Sequence, residues 1–499
     1  MPAHHAARRA AAFTHCWPWE TDMKSPAEYF ESLARMKHNV FMGGRKIERP
    51  YEDPQIRTGA SVIALTYELA AQGDNEELMT ANSHLSGKQI NRFCHIHQSP
   101  DDLLKKIRMT RQCCHHTMCI QRCMGVDALN ALSIVTHQVD QIARTSYHKR
   151  FNEFLEYFQE NDLTGNAAMT DVKGDRSLRP HQQADPDLYL HVVERDDKGI
   201  VVRGAKAHNT NAPYAHELIV LPTREMTEAD KDYAVAFAVP ADTKGITMIG
   251  RCAGPRQPHR ASRPMSSKYS TVESVTVFDD VFVPWERVFM CGEWQGAGYL
   301  AELFATYHRH SYCGCKPAIS DVLLGCAALA ADYNGVEKAT HIRSKLVELI
   351  AAAEIVHACG IASSVNGRAM PCGTYLPDVV YSNVGKYYSG TTLHHEYELV
   401  HDIAGGLVAT MPPEEDFEQS PTAEYLDKYL RGRADVSTAD RIRCFRLIED
   451  ITASAMAGLL LVAGVHGGGS PEAEKITILR QYDVAARKAI ARRLAGIEE

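Results

Sequence analysis

The sequence predicts an α+β protein in which a helical N-terminal domain, a central antiparallel β domain and a C-terminal four-helix bundle follow one another. Three observations carry that expectation. Apolar residues recur at three- and four-residue spacing through the first third, the middle changes to short strand-like runs bounded by turns, and long amphipathic segments fill the remainder. Helices and strands are therefore segregated, and no Gly-x-Gly-x-x-Gly opens a helix after a strand, which disfavours a Rossmann dehydrogenase.

Residues 1–22 form an N-terminal extension in which Arg8 and Arg9 precede a short Ala stretch too weak to serve as a secretory core. The helical domain is expected over 23–160, with apolar periodicity in 27–33 and 127–132. The β domain is expected over 161–290. Its strands fall at 188–193, 200–204, 217–221, 233–239 and 273–278, and Asp196-Asp197-Lys198-Gly199 supplies a hairpin-type turn. The bundle domain covers 291–499, with helices near 318–332, 337–366, 387–401 and 439–463.

The chain of 499 residues has a formal net charge of −8 and no basic stripe, which argues against nucleic acid as a partner. No unbroken run of about 18 apolar residues exists, so no membrane span is expected. The 14 cysteines are scattered rather than dense, which suggests a reducing, cytoplasmic setting. Most, such as Cys326 and Cys359, fit small buried hydrophobes.

Two clusters stand apart: Cys119-Ile120-Gln121-Arg122-Cys123, and His308-Arg309-His310-Ser311-Tyr312-Cys313-Gly314-Cys315-Lys316. On a helix, i and i+4 share a face, so Cys119 and Cys123 could bind one centre, with two soft donors from the second segment. The same spacing also fits two core cysteines. His115, His116, His310 and Cys313 lie nearby as well, and spacing alone separates neither the four ligands nor zinc from an iron-sulfur cluster.

These residues resemble the 4-hydroxybutyryl-CoA dehydratases, within the larger 4-hydroxyphenylacetate 3-hydroxylase family. The resemblance runs over nearly the full length, from Met23 to Ile497. It is most specific at Met169-Thr170-Asp171-Val172-Lys173-Gly174-Asp175-Arg176, Arg203-Gly204-Ala205-Lys206-Ala207-His208, Ala330-Ala331-Asp332-Tyr333-Asn334-Gly335 and Asp402-Ile403-Ala404-Gly405-Gly406-Leu407. It implies an acyl-CoA dehydrogenase-like architecture, a homotetramer, FAD and a [4Fe-4S] cluster held by Cys119, Cys123, His308 and Cys315. Flavin contacts are implied at Met169, Thr170, Asp171, Lys173, Gly174, Asp175, His208 and Thr210. Gly405 and Gly406 would let another subunit's dinucleotide approach the backbone; the plainer reading is a turn and a helix-packing glycine pair.

The implied reaction is dehydration of 4-hydroxybutyryl-CoA to crotonyl-CoA, with vinylacetyl-CoA isomerisation. The thioester acidifies only C2, so the family removes an electron from the enolate with FAD to acidify C3, and an iron acts as Lewis acid on the departing hydroxide. The resemblance assigns His308 as ligand and candidate base, Glu273 as an acid-base carboxylate, and Tyr312 and Lys316 as contacts to substrate oxygen. Outside that resemblance, Glu273 fits a solvated strand-end carboxylate, Tyr312 a satisfied core tyrosine and Lys316 a surface lysine.

One departure matters. The family places a second active-site Glu shortly before His-Gly-x-Gly-Ser-Pro; here the motif is His466-Gly467-Gly468-Gly469-Ser470-Pro471, and the matching position is Ala463. Another group such as His466 could substitute, isomerisation alone could remain, or the substrate could be another hydroxyacyl-CoA. A flavin-dependent aromatic hydroxylase, and a structural zinc protein with a decayed site, are the rival classes.

Overall fold

The computed structural model describes residues 23–256 and 259–497; the N-terminal extension lies outside the described residues. The expected order of a helical region, a β region and a helical bundle holds. In the first part, the helices Pro26–Arg35, Pro54–Ala70, Pro100–Thr117, Cys123–Ala143 and Tyr147–Glu160 carry the architecture. Ser25 and Glu28 cap the first of these reciprocally, which satisfies donors that a helix start leaves unpaired.

This part is not wholly helical. Val40–Met42 and Arg45–Ile47 form a hairpin, and Thr80–Asn82 pairs with Gln89–Asn91. Each of these strands is only three residues long, too short for a period-two pattern to register in the sequence.

The β region contains two sheets. The six-stranded sheet runs, in spatial order, Arg45–Ile47, Val40–Met42, Ile246–Cys252, Val272–Pro284, Gly199–Thr210, His191–Arg195. The four-stranded sheet runs Val288–Cys291, Val235–Pro240, Glu217–Val220, Gly165–Ala168. Pairing is mostly antiparallel, with two parallel ladders at Val40–Met42 against Ile246–Cys252 and at Gly165–Ala168 against Glu217–Val220. The expected turn at Asp196 is present: its carboxylate accepts from the Lys198 and Gly199 amides at 2.8 and 2.9 Å.

The bundle is built from Trp294–Tyr333, Thr340–Val365, Val379–Ala404 and Thr438–Thr452. The first starts well before the expected boundary near 318 and runs for 40 residues through Pro317. Packing against Pro100–Thr117, Cys123–Ala143 and the other bundle helices keeps it continuous through sequence that on its own would end a helix. The expected helix over 439–463 is instead two, because the Ser454 hydroxyl caps a new start by accepting from the Met456 and Ala457 amides.

By length and mean hydropathy, Trp294–Tyr333 and Thr340–Val365 are long and apolar enough to cross a membrane, contrary to the sequence expectation. Their apolarity is spread over many alanines rather than gathered in unbroken runs. The first carries Arg309, His310 and Lys316 buried against protein partners, the environment of a packed core rather than of lipid.

The long helix touches Pro100–Thr117 closely at Gly314, where a Cβ would lie 2.4 Å from the Ile107 carbonyl oxygen. Gly314→Ala should therefore lower unfolding free energy by about 1–3 kcal/mol, measured by urea titration, because backbone must move to admit one methyl group.

Candidate active site

The segment joining helices Pro100–Thr117 and Cys123–Ala143 is a tight turn rather than helix, so Cys119 does not share a helical face with Cys123 as expected. Met118 and Gln121 adopt left-handed backbone, with φ of 62° and 58°, unusual for side chains of this kind. Tertiary bonds hold the turn in place. The buried Gln121 amide donates to the Ser270 carbonyl at 2.7 Å and Thr271 Oγ1 at 3.0 Å, and its oxygen accepts from the Tyr214 hydroxyl at 2.6 Å. Arg122 stacks on Tyr67 and donates to Asp162 at 2.6 Å, both ends of that ion pair being buried.

The turn delivers Cys119 and Cys123 to the long helix. The Cys114, Cys119 and Cys315 thiols lie close enough to shift one another's titration, and Cys315 Sγ points back to the Met118 carbonyl at 3.9 Å. The neighbouring Cys114 lifts the Cys315 thiol to about 12; the neighbouring Cys315 and burial lift Cys119, and burial and Asp127 lift Cys123. Such a pocket disfavours several thiolates unless a bound cation compensates them.

His308 completes the set. Its Nδ1 lies 2.9 Å from Asp127 Oδ2, and the Cys123 sulfur, an Asp127 oxygen and a His308 nitrogen all lie within 4.8 Å of one another. Asp127 is fully buried and already engaged by Lys106 Nζ at 2.6 Å and the Ser311 hydroxyl at 3.0 Å. Asp127 is placed to orient the imidazole: a carboxylate accepting from Nδ1–H would fix the tautomer and leave Nε2 as the donor atom. Three thiols and one oriented imidazole fit a thiolate-rich metal centre.

Other nearby candidates are committed elsewhere. Cys113 faces Met79, Cys313 bonds back to the Arg309 carbonyl, His115 pairs with Asp321, and His310 meets Ser364.

Along the long helix, His308, Tyr312, Cys315 and Lys316 recur at helical spacing and share one face. Tyr312 lies edge-on to His308 with ring centres 5.1 Å apart, and donates to the Ala463 carbonyl at 3.0 Å. Lys316 Nζ lies 5.0 Å from the Tyr312 ring centre. Burial, with the neighbouring thiols, pushes the Tyr312 hydroxyl well above its ordinary range, so it stays a donor.

Glu273 approaches from the β region. It is half-buried rather than solvated, pairs in register with Thr210, and receives the Thr210 hydroxyl at 2.8 Å on either oxygen. Burial pushes its carboxyl up to about 7. It also lies within electrostatic reach of Tyr312.

The flavin-contact candidates divide. Thr210 sits at Glu273, while the buried Asp171 is committed to Lys206 at 2.8 Å and the Leu190 amide at 3.1 Å. Lys206 also ties down the Met169 carbonyl at 3.0 Å, and Thr170 accepts from the Ala207 amide. Lys173 and Gly174 adopt left-handed backbone, Asp175 is exposed and bonded to Ser177, and His208 is exposed with φ of 57°. Gly405 and Gly406 are exposed beyond helix Val379–Ala404, with open space over both.

The sequence reading missed Asn166, Asn209 and Asn211, which surround Thr210. Asn166 Oδ1, Asn211 Oδ1 and both side-chain polar atoms of Asn209 are buried without a hydrogen-bond partner among the described residues. Orphaned amides cost stability unless a ligand satisfies them, and this group suits the heteroatoms of a flavin ring. Asp127 was missed too, although it stands one helical turn after Cys123.

Comparison with known proteins matches residues 25–290 to the N-terminal model, and 297–496 to the C-terminal model, of 4-hydroxyphenylacetate 3-hydroxylase. The 4-hydroxybutyryl-CoA dehydratase/vinylacetyl-CoA-Δ-isomerase of Clostridium aminobutyricum is 44% identical over 94% of this chain and 99% of its own. The structure of an oxygen-tolerant archaeal 4-hydroxybutyryl-CoA dehydratase from N. maritimus superposes with a TM-score of 0.92 at 41% identity, covering 96% of each chain. The oxygenase component of 4-hydroxyphenylacetate 3-monooxygenase, complexed with FAD, superposes at 0.84 and 25% identity, covering 94% of this chain and 98% of its own.

Removing the carboxylate beneath His308 isolates its contribution. Asp127→Asn leaves Lys106 buried without its counter-charge, a change that costs about 3–5 kcal/mol. It also frees the imidazole, so metal affinity should fall about 10–100-fold, read as metal retained per chain after anaerobic dialysis against a chelator.

Proposed function

The chain belongs to the 4-hydroxyphenylacetate 3-hydroxylase family, and from that premise we propose that it is a flavin- and [4Fe-4S]-dependent 4-hydroxybutyryl-CoA dehydratase. It is an enzyme, a hydro-lyase with C=C isomerase activity like its 44% identical relative. The single observation that carries the reading is the convergence of Cys119, Cys123, Cys315 and His308, the last with its Nδ1 on Asp127. A flavin-dependent aromatic hydroxylase has no use for this donor set.

When bound, the flavin would supply one-electron oxidation of the substrate enolate, and the cluster a Lewis-acidic iron. Cys119, Cys123, Cys315 and His308 Nε2 would hold the cluster. Thr210, with the unpartnered side-chain oxygens of Asn166 and Asn211 and the unpartnered amide of Asn209, would meet the flavin ring.

The protein's own groups handle protons. Glu273, with a carboxyl near 7, is suited to take a proton from a carbon beside the thioester and return it at neutral pH. The Lys316 ammonium would meet the substrate oxygen as a donor, joined by the Tyr312 hydroxyl once it turns from the Ala463 carbonyl, and burial of both keeps water from competing for the departing group. The exposed apolar residues Val347, Ile350, Ile355, Ile361 and Val365 on helix Thr340–Val365 suit packing against further copies, in the homotetramer proposed for this chain.

The test is anaerobic incubation of iron- and FAD-loaded protein with 4-hydroxybutyryl-CoA and, separately, vinylacetyl-CoA. Crotonyl-CoA from both is expected. Product from vinylacetyl-CoA alone would restrict the enzyme to isomerisation, and none from either would overturn the reading. Because Glu273 works as a base only once deprotonated, kcat/KM should rise with pH through about 7. Glu273→Gln should abolish that rise and lower the rate by about 10²–10⁴-fold.

A further inference from the structure

Position 463 carries no charge, yet a buried carboxylate from another helix pairs with a lysine that reaches the same helix at the Val465 carbonyl. Glu474, in helix Pro471–Gln481, is fully buried, and its Oε1 accepts from Lys386 Nζ at 3.1 Å. Its Oε2 has no hydrogen-bond partner among the described residues. Lys386 is equally buried; it also donates to the Val465 carbonyl at 3.2 Å, and its nitrogen lies 5.0 Å from the centre of the Tyr312 ring. Tyr312 in turn donates to the Ala463 carbonyl. Glu474, Lys386 and Tyr312 thus form a line that ends at the backbone of the position where the family's carboxylate is missing.

The structure points to a replacement: we propose that Glu474, acting through Lys386, is the proton-holding carboxylate that serves in place of the side chain absent at Ala463. This rests on the dehydratase reading. His466, the substitute the sequence suggests, is exposed at the end of its helix.

Two features separate the pair from simple packing. A fully buried ion pair is commonly no more stable than an apolar pair of the same volume, so stability alone gives little reason to keep one. An open acceptor atom on the buried carboxylate is likewise costly unless a proton or substrate group uses it. Burial shifts the two partners toward each other, raising the Glu474 carboxyl and lowering Lys386 to about 8, which eases proton exchange within the pair. Two further groups face Glu474: Arg309, committed to the Gly468 carbonyl and Asn383, and His466, exposed at the end of its helix.

The reaction needs such a group. Dehydrating a 4-hydroxyacyl thioester removes one proton from C2 and one from C3; one proton is added to C4 and one joins the departing hydroxide as water. Two protons are in transit, and Glu273 holds one. On taking the other, Glu474 passes from carboxylate to carboxylic acid while the bonding electron pair stays on the substrate. It gives that proton back before turnover ends, so no proton or electron is gained or lost.

The experiment compares wild type, Glu474→Gln, the double variant Lys386→Met/Glu474→Gln and the double variant Ala463→Glu/Glu474→Gln, all loaded with iron and FAD. Both thioesters are assayed anaerobically, with iron content, FAD content and Tm recorded. Glu474→Gln should lower kcat by about 10²–10⁴-fold at unchanged KM, iron and FAD, and Ala463→Glu/Glu474→Gln should recover at least about tenfold of that loss. Where Glu474→Gln fails to fold around an unpaired Lys386, the Lys386→Met/Glu474→Gln variant carries the same comparison. Variants as active as wild type, or a loss that a carboxylate at 463 does not rescue, overturn this inference alone. A wild type that converts neither thioester overturns it together with the dehydratase reading.

Discussion

One buried carboxylate organises the centre of this molecule. Asp127 has no solvent exposure, and it takes hydrogen bonds from Lys106, His308 and Ser311, which reside on two other helices. A buried charge is tolerated only when so satisfied, and removing any donor leaves the remainder uncompensated. The constraint therefore acts in both directions. Three helices must meet at one place for the carboxylate to be stable, and meeting there they bring the His308 ring beside Cys123 with its Nδ1 already used.

A second constraint joins this centre to the sheet. Gln121 lies in the turn between two of the thiols, and its amide is held by Ser270, Thr271 and Tyr214. Val272–Pro284 begins directly after those contacts and presents Glu273 as its second residue. The Tyr214 hydroxyl also accepts from the Val272 amide at 3.2 Å. The candidate metal donors and Glu273 are thus fixed through one short run of hydrogen bonds, although they come from different parts of the chain. Thr210, paired opposite Glu273, extends the connection to Asn166, whose side-chain NH2 donates to the Thr210 carbonyl and whose oxygen has no partner among the described residues.

Much of this was legible in the sequence, for physical reasons that differ by element. His308, Tyr312, Cys315 and Lys316 fall at helical spacing, so one long helix had to present them together. The three-part order followed from periodicity. Cys119 was less legible: a helical face was expected, whereas Met118 and Gln121 adopt left-handed backbone that local propensity disfavours and tertiary bonds impose. The N-terminal strands were too short to register, and Pro317 obscured the true length of the long helix. Lys386 and Glu474, far apart in sequence, meet only in the folded bundle, so the sequence offered His466 rather than this pair as a substitute for the carboxylate absent at Ala463. The thiol and imidazole set also fits zinc on spacing alone, and the proposed cluster rests on kinship with the dehydratases.

The central claim is that Cys119, Cys123, Cys315 and His308 together hold an iron-sulfur cluster, with Asp127 orienting the histidine from behind. Anomalous diffraction at the iron edge, on crystals grown anaerobically from protein purified without oxygen, tests it most directly. The account requires iron bonded to those four side chains, with Asp127 still on His308 Nδ1. A zinc signal in place of iron, iron ligated by Asp127, or a metal-free site closed by a Cys119–Cys315 disulfide would contradict it.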